Sequence, residues 1–244
     1  MTQQHNKQEN VFLNIILNIV IPTVILMKFS GEEHLGVRNG LIVALAFPII
    51  YGITDFFRAH KVNIFSVIAV VSILLTGGIS LLELDPKYIA IKEAAIPSLI
   101  GIATVISIYT RYPLLKTLLY NDKLVQIDRV NDALKEHNNE ENFEISFRIA
   151  SYILACSFFL SAVLNYGLAR YLLTSPPGTE AFNAELGKMT ALSFPVITIP
   201  SMIVMIGSLV YLYRRITALT HLTLDEIIHD PEGHKNAEAN AEEK

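Results

Sequence analysis

Six stretches of this chain are apolar almost throughout: Val11–Phe29, Asn39–Phe57, Val62–Leu82, Tyr88–Tyr109, Phe147–Leu173 and Met189–Tyr213. Each is about as long as a bilayer is thick, because a helix needs roughly 20 mostly apolar residues to cross the hydrocarbon core. A soluble domain does not carry six such runs, since its helices keep one polar face for water. Over the 244 residues, 52% are hydrophobic and only 17% charged, with a mean hydropathy of +0.42. The expected fold is therefore an all-α membrane protein with six transmembrane helices.

The organisation follows from where the polar residues fall. Residues 1–10 form a short polar N-terminus without the basic, apolar and small-residue order of a cleaved leader. Residues 11–110 hold spans one to four, and 111–146 form a charged insert. Spans five and six occupy 147–215, and a tail with one short helix runs from 216 to 244. An even number of spans places both termini on one side. Thirteen of the 19 Lys and Arg fall on that side, among them Arg58, Lys61, Arg111, Lys116, Arg214 and Arg215. The positive-inside rule then makes both termini cytoplasmic.

Inside the insert, Leu114, Leu115, Leu118 and Leu119 share a helical face beside Arg111 and Lys116. Leu124, Ile127, Val130 and Leu134 form a second stripe at helical spacing. Both are amphipathic cytoplasmic helices: the first lies at the cytoplasmic interface, and the second either leans on the bundle or docks a partner. Thr223 and Glu226 have the spacing of a capping box. Asp85 and Pro86 are a start signal for span four. Two prolines, Pro195 and Pro200, predict an interrupted sixth span. Ile21-Pro22-Thr23-Val24 matches Ile96-Pro97-Ser98-Leu99, and Tyr51-Gly52-Ile53 matches Tyr166-Gly167-Leu168, in the same order in each half. Three spans per half would make this a 3+3 inverted repeat, the build of many secondary transporters; chance in low-diversity apolar sequence accounts for matches this short equally well.

No catalytic constellation, phosphate loop or metal-ligand spacing is present, so the chain reads as non-enzymatic, with no cofactor and no metal. No basic groove or aromatic platform for nucleic acid is present either. The single cysteine, Cys156, lies within span five. The candidate site is Lys92-Glu93, just inside the boundary of span four, where an ionisable pair is a functional candidate by default. Arg38, Arg170, Glu185 and Lys188 fall near the same surface and would complete a charged rim facing outward. Such a rim suits an anionic lipid head group or solute; the plainer reading is interfacial anchoring with one local ion pair. Asn14 and Asn18 in span one, and Ser157, Ser161 and Asn165 in span five, form polar stripes that serve helix packing or line a path.

The order of several short motifs resembles the intracellular septation protein A (YciB) group of bacterial inner-membrane proteins. They are Ile91-Lys92, Tyr112-Pro113-Leu114-Leu115-Lys116 with Leu118-Leu119, and Phe158-Phe159 through Asn165-Tyr166-Gly167-Leu168-Ala169. Gly187-Lys188 and Tyr211-x-Tyr213-Arg214-Arg215 complete the set. The resemblance spans roughly residues 40–215. The chain departs from the group in having no Trp and in its long acidic insert near 122–144. The resemblance implies an inner-membrane location, a role in envelope maintenance and cell division, and Lys92 and Lys188 as the matching basic residues. Membrane lipids are the expected partners, with envelope or division proteins and self-association as further ones. The alternatives are a scaffold docking such proteins through residues 111–142, and a small-solute secondary transporter with Glu93 as its coupling carboxylate.

Overall fold

The computed structural model describes residues 15–59, 64–122 and 124–228. Among these the chain is helical and has no strand; Val125 and Ile228 form an isolated antiparallel bridge. The helices are α1 (Ile16–Lys28), α2 (Val37–Ala59), α3 (Ile64–Leu81), α4 (Lys87–Ile108), α5 (Leu114–Leu119), α6 (Ile127–Glu136), α7 (Glu140–Leu172), α8 (Glu180–Thr220) and α9 (Leu224–Ile227). Each of the six apolar stretches is helical over its described residues apart from the terminal Phe29, Leu82, Tyr109 and Leu173. Among the described residues, four helices are long and apolar enough to cross a membrane: α2 over Val37–Thr54, α4, α7 and α8. The apolar parts of the other two, Ile16–Lys28 and Val70–Leu81, are shorter. Ile50, Leu74, Ile106, Val163 and Ile203 are each 56 to 68% exposed. Large side chains at that exposure along apolar helices suggest a membrane protein, whose solvent there is lipid.

Local chemistry sets the ends. The Lys87 N–H donates to the Asp85 carboxylate at 2.8 Å, opening α4 directly after Pro86. That bond, with the Lys87 and Arg170 charges, holds the Asp85 carboxyl below its usual range. Thr179 caps α8 by accepting the Phe182 N–H at 3.2 Å. Helix α7 begins at Glu140, well before the apolar stretch at Phe147, so the insert and span five share one continuous helix. Glu140 and Glu141 stand in its first turn, where negative charge suits the helix dipole.

The prolines leave a distinct mark. Residues Ile16–Val20 and Phe194–Thr198 wind as wide π turns, and each is followed by Ile-Pro: Ile21-Pro22 and Ile199-Pro200. A proline donates no N–H and its ring presses on the carbonyl four residues back, so the preceding turn widens to five-residue bonding. The Ile21 N–H accordingly reaches Ile16 O, and the Ile199 N–H reaches Phe194 O. Pro97 sits inside regular α-helix. In local backbone form, the Ile-Pro-Thr of span one is thus matched by the Ile-Pro-Ser of span six rather than by that of span four.

The chain divides into two compact units, Met1–Pro97 with Ser161–Pro200 and Ser98–Leu160 with Ser201–Lys244. The first has its core on Leu26, Leu41, Ala44, Ile89, Leu168, Phe182, Leu186 and Met189. There α1 packs against α2 and against the start of α8, and α2 against α3. The α1–α8 crossing is close at Gly187, where an added Cβ would stand 2.8 Å from Met27 Cγ and 3.2 Å from the Thr23 carbonyl oxygen.

The second unit has its core on Leu115, Val130, Leu134, Phe143, Phe147, Leu212, Ile216 and Ile227. From the stripes of the insert, Leu115, Leu119, Val130 and Leu134 pack in or against this core, while Leu118 and Leu124 are exposed. The end of α8 and the chain after it are tied to the insert: Gln126 N–H donates to Ile227 O at 2.9 Å, Asn139 Nδ2 to Leu219 O at 3.0 Å, and Arg129 pairs with Glu226. Glu226 also accepts the Thr223 N–H and hydroxyl, each at 2.9 Å, which closes the capping box and holds its carboxyl low.

Tyr120 lies against Phe143 and Phe147 and donates to Asn131 Oδ1 at 2.8 Å. Burial, with the Glu144 and Asp128 charges adding, pushes its phenol up to about 12. An unfolded tyrosine titrates near 10. Below that pH the phenol is neutral in both states and its stabilisation is intact. Above it the unfolded chain loses its proton first, and stability falls until about pH 12. Wild type should therefore lose more stability between pH 10 and 12 than Tyr120→Phe, as read from denaturation midpoints. Equal losses would refute the assignment.

A candidate ligand cavity around Lys92 and Glu93

Lys92 is in the second turn of α4, on a face turned toward α3. Its Nζ lies 2.7 Å from Glu93 Oε1 and donates to Thr76 Oγ1 at 2.7 Å, Ser72 Oγ at 2.9 Å and Ser72 O at 3.2 Å. The Lys92 side chain is 10% exposed and that of Glu93 27%. Ser72, Thr76 and Ser80 recur at every fourth residue of α3, so they lie on one face. The Thr76 hydroxyl donates back to Ser72 O at 3.0 Å, and Ser80 to Thr76 O at 2.8 Å. With its own proton committed, the Thr76 hydroxyl presents lone pairs to the ammonium.

This cluster forms the polar part of a cavity of about 440 Å³ within the first unit. Asn18 of the π turn, Tyr51 of α2 and Thr190 of α8 add polar groups. Pro22, Leu26, Leu45, Pro48, Ile73 and Met189 supply apolar wall. The size suits a head group or small solute rather than a whole lipid. A few convergent polar groups in an apolar shell are the usual make-up of a ligand site.

The structure places the remaining sequence-derived candidates as follows. Arg38, Arg170 and Lys188 are exposed and do not line the cavity. Glu185 is committed to the preceding loop, accepting from Thr174 N at 2.9 Å, Thr174 Oγ1 at 3.1 Å, Ser175 N at 2.9 Å and Ser175 Oγ at 2.7 Å. Of the polar stripes, Asn18 lines the cavity and Asn14 lies outside the described residues. Ser157 donates to Leu154 O at 2.7 Å, and Asn165 to Ser161 O at 2.8 Å, all within α7. No metal-binding cluster of His, Cys, Asp and Glu occurs among the described residues.

Sequence reasoning missed Ser72, Thr76, Thr190 and Tyr51 as site residues. The signal was available in the Ser72, Thr76, Ser80 spacing, which is the same pattern recognised in span five. No family model, curated protein or solved structure matches the chain.

Proposed function

We propose that this chain is a six-span protein of the bacterial inner membrane, with both termini cytoplasmic. In this reading it binds or moves an anionic head group, lipid-borne or lipid-linked, in the Lys92–Glu93 cavity. The role is envelope maintenance of the kind implied by the resemblance to the septation protein A group. The Lys and Arg bias supports the orientation, which puts Lys92 near the outward end of span four. One observation carries the binding reading: a mostly buried ammonium and its carboxylate partner stand in an open, largely apolar cavity. A buried ion pair stabilises a fold no better than a well-packed apolar pair does. Its presence beside ligand-sized space therefore points to binding rather than to support.

The outward rim of the sequence reading contracts in this proposal to one cavity, because Arg38, Arg170 and Lys188 do not reach it. The scaffold alternative is less favoured, since Val130 and Leu134 of the insert are 0 and 2% exposed within their own unit. The test is mass spectrometry of lipids and solutes that co-purify with the full chain. Wild type should retain an anionic species that Lys92→Met loses, with both proteins monodisperse. Identical contents would remove the proposal.

A further inference from the structure

We infer that anion binding in this cavity is proton-coupled: the anion takes the Lys92 ammonium once Glu93 has accepted a proton, so one proton enters with each anion. This rests on the reading of the cavity as an anion site. An ammonium has three protons, and Lys92 already faces four acceptors, at Glu93 Oε1, Thr76 Oγ1, Ser72 Oγ and Ser72 O. No donor is left over for a ligand. Among the described residues, the polar groups that line the cavity beside the pair from the other elements are Asn18 of α1, Tyr51 of α2, Ser72 and Thr76 of α3 and Thr190 of α8. None of them is a second cation, so the ionised pair presents an arriving anion with no net positive charge.

An anion that contacts Lys92 must displace the Glu93 carboxylate and then sit beside it. Two like charges a few ångströms apart in a poorly solvated cavity repel strongly. A proton from the medium on a Glu93 oxygen removes that repulsion. Lys92 keeps its charge throughout. The contact between ammonium and carboxylate is replaced by one between ammonium and anion, and the new Glu93 hydroxyl can donate to the anion. The balance is one proton and one anion taken up together.

The experiment uses the full-length protein in phosphatidylcholine nanodiscs with sulfate as the probe, since sulfate keeps its charge between pH 5.5 and 8. A parallel arm adds phosphatidylglycerol to the discs, so competition with sulfate tells a lipid head group from a free anion. Calorimetry in two buffers of different ionisation enthalpy counts the protons. Linkage predicts uptake approaching one proton per anion at pH 8, with affinity falling as the pH rises. Glu93→Gln should bind sulfate at pH 8 at least about tenfold more tightly than wild type, with no proton uptake and a flat pH profile. Wild-type binding that is independent of pH and takes up no proton overturns the coupling and leaves the anion site standing. Absence of sulfate or phosphatidylglycerol binding in both proteins overturns the cavity reading and the coupling together.

Discussion

Lys92→Met should lower the unfolding free energy by about 3 kcal/mol, the low end of the range for removing one member of a buried ion pair. The reason lies with the partner left behind. Glu93 Oε1 has its ammonium at 2.7 Å, and without it a carboxylate stands in a largely apolar cavity. The double variant Lys92→Met with Glu93→Gln removes both charges at similar volume and should return to within about 1 kcal/mol of wild type. The measurement is a double-mutant cycle on thermal or denaturant midpoints in lipid discs at pH 7. If the two single changes add without coupling, the pair is not the unit described above. The same cycle separates stability from binding, because the stable double variant should still fail to hold an anion.

Leu134→Ala should cost about 2–5 kcal/mol, as expected when a fully buried leucine is truncated in a packed core. Leu134 is 2% exposed and packs in the cluster with Val130, Phe143, Phe147 and Ile216. Denaturation midpoints and protease cleavage within residues 120–140 would read the loss. This variant also separates two uses of the insert. A stripe kept for a partner would leave stability unchanged on truncation and abolish the partner's capture. A stripe used by the chain's own core shows the reverse.

Much of the fold was legible because the relevant physics is local. A long apolar run has to satisfy its own backbone hydrogen bonds, and a helix does so within the run. The helices α2, α4, α7 and α8 therefore lie where the apolar stretches lie. The Asp85 start signal and the Thr223–Glu226 box were readable for the same reason, since each partner is within three residues of the other. The lower bound of α7 was not legible. Glu140 to Ser146 are too polar to read as a span, yet nothing in them breaks a helix.

What the amino-acid order determined by itself was a set of apolar helices with one ionisable pair, Lys92-Glu93, inside the fourth. That follows from transfer energetics and short-range bonding, which need no neighbour. Tertiary structure alone decided that Lys92 meets Ser72 and Thr76, 20 and 16 residues earlier. It also decided that a proline-widened turn brings Asn18 to the same cavity and that Arg38, Arg170 and Lys188 stay outside it. Which faces of successive helices meet depends on packing across the whole unit, and a one-dimensional pattern of polar and apolar residues does not specify that.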